Sequence, residues 1–488
     1  MLIAFVVVYL IVSIAIGLWA ARRVHNSKDY LVAGRSLPLY INVATVFATW
    51  FGAETVLSVS ATFAKDGLGG IVADPFGASF CLIFVAVFFA RTFYRMDLLT
   101  IGDFYRKRYG KSVEVVSGLI ITISYLGWTS AQLTALGLAF SVLSGGALSL
   151  NAGIVLGAAI VLGYTIWGGM WSVAITDLFQ SAMIIVGLWA IAWLVGDMAG
   201  GPAKVIAAAS EAGKFEFWPK GGSKEWLAFI AAWMTLAIGS IPQQDVFQRV
   251  TSAKDEKTAV RGSLIGALLY FIMAFVPMYI AYSALVIDPG MSQLFAAEDG
   301  REIQRILPDL ILNQTPLWAQ VMFFGALLSA ILSTASGALL APTAMCTENV
   351  LRPFIPHMSD RQFLILLRTV LVSFTLAALL FALNSKSTMY EMVQNAYKVT
   401  LVGAFVPLAF GIFWKRANTA GAVMAIFLGL FSWIAMEMWG SDTIWPPQLV
   451  GLAFAIAGML LGSLLTPAPH PHAPAHAVGG HPAPHGHH

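Results

Sequence analysis

The sequence predicts an all-α integral membrane protein of about thirteen transmembrane helices, with two inverted repeats of five and broken helices in the second and seventh spans. Three observations predict this. The 488 residues are 58% apolar and only 11% charged, whereas soluble domains carry about 25% charged residues. Apolar stretches of roughly the 20 residues needed to cross a bilayer recur along the chain. They lie near 2–20, 40–64, 72–93, 114–143, 150–167, 176–198, 225–246, 260–286, 316–342, 362–384, 389–413, 419–438 and 444–465. Two of these stretches, five apart, are interrupted by Gly, Pro and polar residues.

The first segment begins with no basic region and has no small-residue cleavage site, so it reads as a retained span. Orientation follows from Lys and Arg. With the N-terminus outside, inward connections hold 19 of these residues, from Arg22 to Arg416, and outward ones hold 8, while Lys398 falls within a span. The expected placement is a multi-pass protein of the plasma (inner) membrane with a cytoplasmic C-terminus. The loop 94–112 is strongly basic and reads as a positive-inside anchor. In the outward loop 287–315, the stretch from Ile303 to Leu312 is either a short surface helix or plain loop. Residues 1–466 form the membrane domain, with repeats near 40–198 and 225–413. The segment 467–488, rich in Pro, Ala and Gly, holds seven of the nine histidines and reads as a disordered cytoplasmic tail. It is a spacer, a purification feature or a loose metal binder. Cys81 and Cys346 lie in or beside apolar spans and form no disulfide framework. No basic helix face points to nucleic acid, and nothing points to an obligate protein partner. The expected partners are the lipid bilayer, Na⁺ and a small-molecule solute.

The second span contains Ala48-Thr49-Trp50-Phe51-Gly52-Ala53-Glu54-Thr55. An ionisable residue at that depth is a functional signal. Gly52 lets the helix open, and freed carbonyls can replace the hydration shell of a hard cation. Glu54 starts the second half-helix, where the positive dipole end favours a carboxylate; it reads as a cap for the break or as a substrate contact. The ninth span clusters Ser333, Thr334 and Ser336 among small residues, either as helix–helix glue or as the other half of a cation shell. The seventh span is interrupted at Gly239-Ser240-Ile241-Pro242-Gln243-Gln244, where proline frees a carbonyl. Paired interruptions in corresponding positions of two halves point to a transporter binding site. Because five is odd, the two repeats lie in opposite orientation. Asp177 opens the sixth span as an N-cap, a pause on a cation exit path, or both.

In order and spacing, these pieces resemble the sodium/solute symporters that include proline, galactose and sialic acid carriers. The resemblance covers roughly residues 1–465. It runs from Lys28 to Pro38, through Ala53-Glu54, Thr100 to Phe104, Gly168 to Asp177, Gln248-Arg249, Ser333-Thr334 and Lys415-Arg416 to Gly421-Ala422. It implies a LeuT-like fold of thirteen helices and a Na⁺ site made by carbonyls of Ala48, Phe51 and Ala330 with hydroxyls of Ser333 and Thr334. Asp177 and Ser336 match a second Na⁺ site of some members, although Gly337 replaces a hydroxyl those members carry.

The family's sugar-binding Asn and Tyr align with Leu236 and Gly239, which disfavours a sugar. Thr55, Trp233, Ser240, Gln243 and Gln244 remain to line the cavity. A small amino acid such as proline, or a small carboxylate, suits the half-helix N-termini. The expected activity is Na⁺-coupled symport by alternating access, not enzymatic chemistry. The rival readings are a transporter-fold sensor and an H⁺-coupled symporter. The short segment after the last span argues against the sensor.

Overall fold

The structure, a computed structural model, describes residues 1–468, so nearly all of the His-rich segment lies outside the described residues. The described chain is built from helices: α1 (Leu2–Ala20), α2 (Leu39–Trp50), α3 (Ser60–Asp66) and α4 (Val72–Arg95). The chain continues through α5 (Ile101–Tyr109), α6 (Lys111–Leu143), α7 (Leu150–Met198), α8 (Ser223–Ala237) and α9 (Gln244–Thr251). Next come α10 (Glu256–Ile287), α11 (Leu317–Met345) and α12 (Asp360–Asn384). It ends with α13 (Met389–Gly403), α14 (Phe405–Phe413), α15 (Thr419–Trp439) and α16 (Pro447–Leu464).

Among the described residues nine helices are long and apolar enough to cross a membrane, or eleven spans if each of two bent pairs counts as one. The difference from thirteen has two sources. The fifth and sixth expected spans form one continuous helical run, α7, broken at Gly169 (φ 50, ψ −133). The chain folds back there: the Tyr164 side chain packs on Gly17, and the Ser172 hydroxyl donates to the Gly17 carbonyl at 2.6 Å. In a straight helix, residues eight apart would be separated by about 12 Å. A Cβ at Gly169 would also lie 2.4 Å from the Tyr30 carbonyl, so glycine is required twice over. The seventh expected span is divided into α8 and α9, each too short to cross alone.

Local sequence sets many helix starts. Capping boxes open α5 (Thr100 with Asp103), α12 (Ser359 with Gln362) and α13 (Thr388 with Glu391). Asp255 caps α10 by accepting the Thr258 N–H at 2.7 Å. In the loop 287–315 the amphipathic stretch becomes a helix at Ile306–Gln314, with Ile306, Leu307, Leu310 and Ile311 buried. The basic loop 94–112 does more than anchor. Arg106 reaches Asp103 at 3.1 Å, Glu114 at 3.3 Å and Glu348 at 3.7 Å, and Asn349 donates to both Asp103 and Glu114.

At the centre is α11, buried without interruption from Phe323 to Met345 and packed against α6 and α7. The periphery is apolar and exposed, as on α1 (Ile3, Val8 and Ile11) and α15 (Phe431 and Met438). This is the outward-facing hydrophobicity expected of lipid contact.

Candidate functional site

The first broken helix meets α11 at the bundle's centre. α2 stops at Trp50, and the segment Glu54–Val59, wound as a π-helix, continues into α3 at an angle of 55° to α2. Phe51 leaves the helical region (φ −84, ψ 80), and the Gly52 N–H turns back onto the Trp50 carbonyl at 3.1 Å. The Ala48 carbonyl points at α11. It accepts the Ser333 hydroxyl at 3.0 Å and the Thr334 hydroxyl at 3.1 Å, while Ser333 also bonds the Ala330 carbonyl at 3.0 Å. Four oxygens, three of them from little more than one turn of α11, thus lie within a single hydrogen-bonded cluster. All are neutral and hard, the donor type that suits an alkali or alkaline-earth cation and not a soft metal. Among the described residues no group of three His, Cys, Asp or Glu side chains converges as a metal site. Phe51 stands at the break itself, beside this cluster in sequence.

Glu54 is 2% exposed and accepts the Gln132 amide N–H at 2.5 Å. The same amide's oxygen accepts the Ala53 N–H at 3.1 Å. Gln132 of α6 therefore clasps both the carboxylate and the backbone of the break. A Cβ on Gly52 would lie 2.6 Å from Glu54 Oε2 and 2.8 Å from Thr334 Oγ1, so only glycine admits this approach.

The second break spans 238–243, between α8 and α9. Its irregular backbone is tied to α13. The Thr400 hydroxyl donates to the Gly239 carbonyl at 2.7 Å, and Gln243 Nε2 donates to Thr400 at 3.0 Å. A side chain at Gly239 would meet the Tyr397 carbonyl at 2.6 Å. Pro242 and Ser240 occupy the break, Ser240 fully buried.

Between the two breaks lies an aromatic cluster. Trp50 stacks on Tyr397 (6.2 Å between centroids) and meets Tyr270 edge-on at 6.5 Å; Phe51 also meets Tyr270, at 6.1 Å. Trp128 packs on Tyr397 at 6.2 Å and on Tyr125 at 5.8 Å. Buried carboxylates back the rings: the Tyr270 hydroxyl donates to Asp74, and the Tyr125 hydroxyl donates to Asp245. Thr55 lies 3.4 Å from the Tyr270 hydroxyl. π-Faces with nearby carboxylates form an environment that attracts an organic cation.

Of the residues expected to line a solute cavity, Thr55, Ser240 and Gln243 lie at the breaks. Two point elsewhere. The Trp233 ring packs edge-on against Phe80 and Phe84 at 5.4 and 6.0 Å, on the far side of α8. Gln244 accepts the Ile101 N–H at 2.8 Å, serving the start of α5. Sequence spacing gives no rotation for the helices on either side of a break, and the structure turns these two side chains toward α4 and α5.

Asp177 is buried beside α2, where it accepts the Thr45 hydroxyl at 2.7 Å; its other oxygen has no hydrogen-bond partner within the protein. Ser336 donates to the Ser333 carbonyl at 3.0 Å, and both Ser336 and Asp177 neighbour Tyr164. Close by, the buried Arg249 donates to Thr49 at 2.9 Å. A Cβ at Gly337 would lie 2.6 Å from Arg249 Nη2, so the guanidinium fills the space a hydroxyl side chain would need.

Sequence reasoning missed Gln132, Tyr125, Trp128, Tyr270, Tyr397 and Asp74, and gave Arg249 no role of its own. Asp74 and Arg249 carried the same signal as Glu54, an ionisable group inside an apolar stretch. The aromatic residues carried none, because lipid-facing rings look identical in sequence.

Known proteins share this layout. Residues 30–429 match the sodium:solute symporter family. The high-affinity choline transporter 1 of Caenorhabditis elegans is 29% identical over 448 residues, which cover 87% of this chain and 76% of that protein. The osmoregulated proline transporter of Bacillus subtilis (strain 168) is 26% identical over 480 residues, 95% of this chain and 94% of that one. Among solved structures, a Na⁺-coupled sialic acid symporter in a substrate-bound outward-open state superposes with a TM-score of 0.82 at 20% identity, covering 96% of this chain and 98% of that one. That likeness shows the fold, and it is the LeuT-like fold implied by the sequence. The relatives are transporters and not enzymes. The chain belongs to the sodium:solute symporter family.

Proposed function

We propose that this protein couples inward Na⁺ movement to uptake of a small quaternary or N-alkylated ammonium solute, choline being the type compound, by alternating access. The observation that carries the solute class is the cluster of Trp50, Phe51, Tyr270, Tyr397 and Trp128 backed by Asp74 and Asp245. A trimethylammonium head is held by aromatic faces and needs no hydrogen-bond donor, and such a contact is worth about 2 kcal/mol when desolvated. The likeness to choline transporters supports this class. Carboxylates at the cluster weigh against the small-carboxylate solute that the half-helix ends alone suggest. Proline is the second reading, favoured by the near full-length likeness to a proline transporter.

Na⁺ binds at Ala48, Phe51, Ala330, Ser333 and Thr334, holding α2 to α11. Asp177 and Ser336 lie on its exit path. Arg249 already supplies a positive charge there, so a second Na⁺ is not needed. The distribution of Lys and Arg supports an outside N-terminus, a cytoplasmic C-terminus and inverted repeats near 40–198 and 225–413 in the plasma membrane. Na⁺ and a cationic solute move two charges inward together, and each charge contributes about 2.3 kcal/mol down ~100 mV, roughly fifty-fold accumulation per charge.

The test is uptake of labelled choline and proline into proteoliposomes under a Na⁺ gradient or a pH gradient alone. Saturable, Na⁺-dependent choline uptake that proline does not compete away is expected. Proline uptake without choline uptake would overturn the solute class, and uptake driven by the pH gradient without Na⁺ would overturn the coupling ion.

A further inference from the structure

A cavity of about 510 Å³ lies away from both breaks, where one end of α8 meets α13, α15 and α16. Its walls include the small residues Ala228, Ala231 and Ala232, which leave the space open, and its polar groups include Lys224, Lys398, Gln394, Gln448 and Glu437. Lys398 sits two turns inside α13, in a stretch that also carries Gln394 and Asn395 amid apolar residues, and its side chain is 24% exposed. A lysine at such depth calls for a partner. The nearest carboxylate, Glu437, is 4.0 Å away, beyond hydrogen-bond range, and already accepts the Trp433 indole N–H at 3.2 Å. Two ammonium groups thus face one carboxylate. The N-terminal ends of α8 and α16 also open at this cavity, through Lys224 and Pro446 to Gln448, adding positive partial charge. The rim carries exposed aromatic residues, Trp445 in the lining and Trp439 beside it, as expected at a headgroup boundary.

We propose that this cavity binds the phosphate headgroup of an anionic lipid, with Lys398 and Lys224 as its cationic ligands. The lipid occupies the joint between the helices carrying the transport site and the two C-terminal helices, which lie outside the repeats. Lys398 follows Tyr397, the ring stacked on Trp50, so a bound headgroup restrains the turn of α13 that shapes the aromatic cluster.

The experiment uses the full chain in nanodiscs. Protein loaded with phosphatidylglycerol is exchanged into phosphatidylcholine, and retained phosphatidylglycerol is measured by native mass spectrometry. Wild type and Lys398→Arg are expected to retain it, while Lys398→Gln and Lys224→Gln each bind roughly fivefold more weakly, about the contribution of one lysine near a headgroup. Lys224 begins an exposed helix end, so its variant separates lost binding from lost folding. Retention unchanged in both Gln variants overturns the proposal, as does equal competition by phosphatidylcholine. Displacement of the lipid by millimolar inorganic phosphate overturns the lipid as occupant and identifies a soluble-anion site.

Discussion

Gln132 holds the first break by two bonds from one amide, and its removal has a calculable cost. Gln132→Ala leaves the buried Glu54 carboxylate without its amide donor and the buried Ala53 N–H without its acceptor. In water-soluble proteins a hydrogen bond to a charged group contributes about 1.5–3 kcal/mol and an orphaned donor costs about 1–3 kcal/mol. Within membranes the measured values are smaller, about 0.6 kcal/mol on average and about 1.7 at most. Two bonds through one side chain therefore give a destabilisation of about 1–3 kcal/mol. The informative measurement is a double-mutant cycle with Glu54→Gln, read by thermal unfolding in nanodiscs and by the Na⁺ concentration for half-maximal uptake. A coupling of about 1 kcal/mol between the two sites is expected, with both variants altering turnover more than solute preference. Additivity within about 0.3 kcal/mol would show that the amide and the carboxylate act independently and would refute the clasp.

Replacing Ser333 and Thr334 together with Ala should raise the Na⁺ requirement more than tenfold, about 1.4 kcal/mol, or abolish uptake; unchanged Na⁺ dependence in uptake assays would remove them from the shell. Gly52→Ala forces a Cβ to 2.6 Å from Glu54 and 2.8 Å from Thr334, so Na⁺-dependent uptake should fall sharply, whereas Gly163→Ala, with open space around it, should act like wild type. Trp50→Leu keeps the volume apolar but removes a π-face. We expect KM for choline to rise about tenfold or more with the Na⁺ half-saturation unchanged; an unaltered KM would place the solute elsewhere. Gly337→Ser drives a side chain toward Arg249 Nη2, and a variant as stable and active as wild type would show that the guanidinium is free to move.

The membrane class, the two breaks and the Ser333–Thr334 pair were readable from the sequence because each is a local departure from an apolar background. Hydroxyls, glycines and a proline stand out against leucine and valine. What could not be read was long-range. The contact between Gln132 and Glu54 joins residues 78 apart, and nothing local marks one glutamine in α6 as the partner. Trp233 and Trp50 are equivalent in sequence, yet one packs against α4 and the other stacks on Tyr397. Only the rotation of each helix about its axis separates them. The span count is less clear for a related reason: the turn at Gly168-Gly169 keeps helical hydrogen bonding on both sides, so the chain reverses without a loop.

The seclusion of α11 bears on how the protein is made. From Phe323 to Met345 the finished helix touches only protein, yet on leaving the ribosome it must enter the membrane before its enclosing neighbours have closed around it. Its sequence answers two demands in succession. The Leu, Phe and Ile residues around 323–332 favour partition into the bilayer. The hydroxyls at 333 and 334 then lack the Ala48 carbonyl until α2 packs beside them, whereas Ser336 is bonded within α11 to the Ser333 carbonyl. Synthesis order suits this, since α2, α6 and α7 are all made before α11 emerges. Variants that delay its enclosure should therefore be cleared by membrane proteases during biogenesis, and low abundance will precede any visible defect in transport.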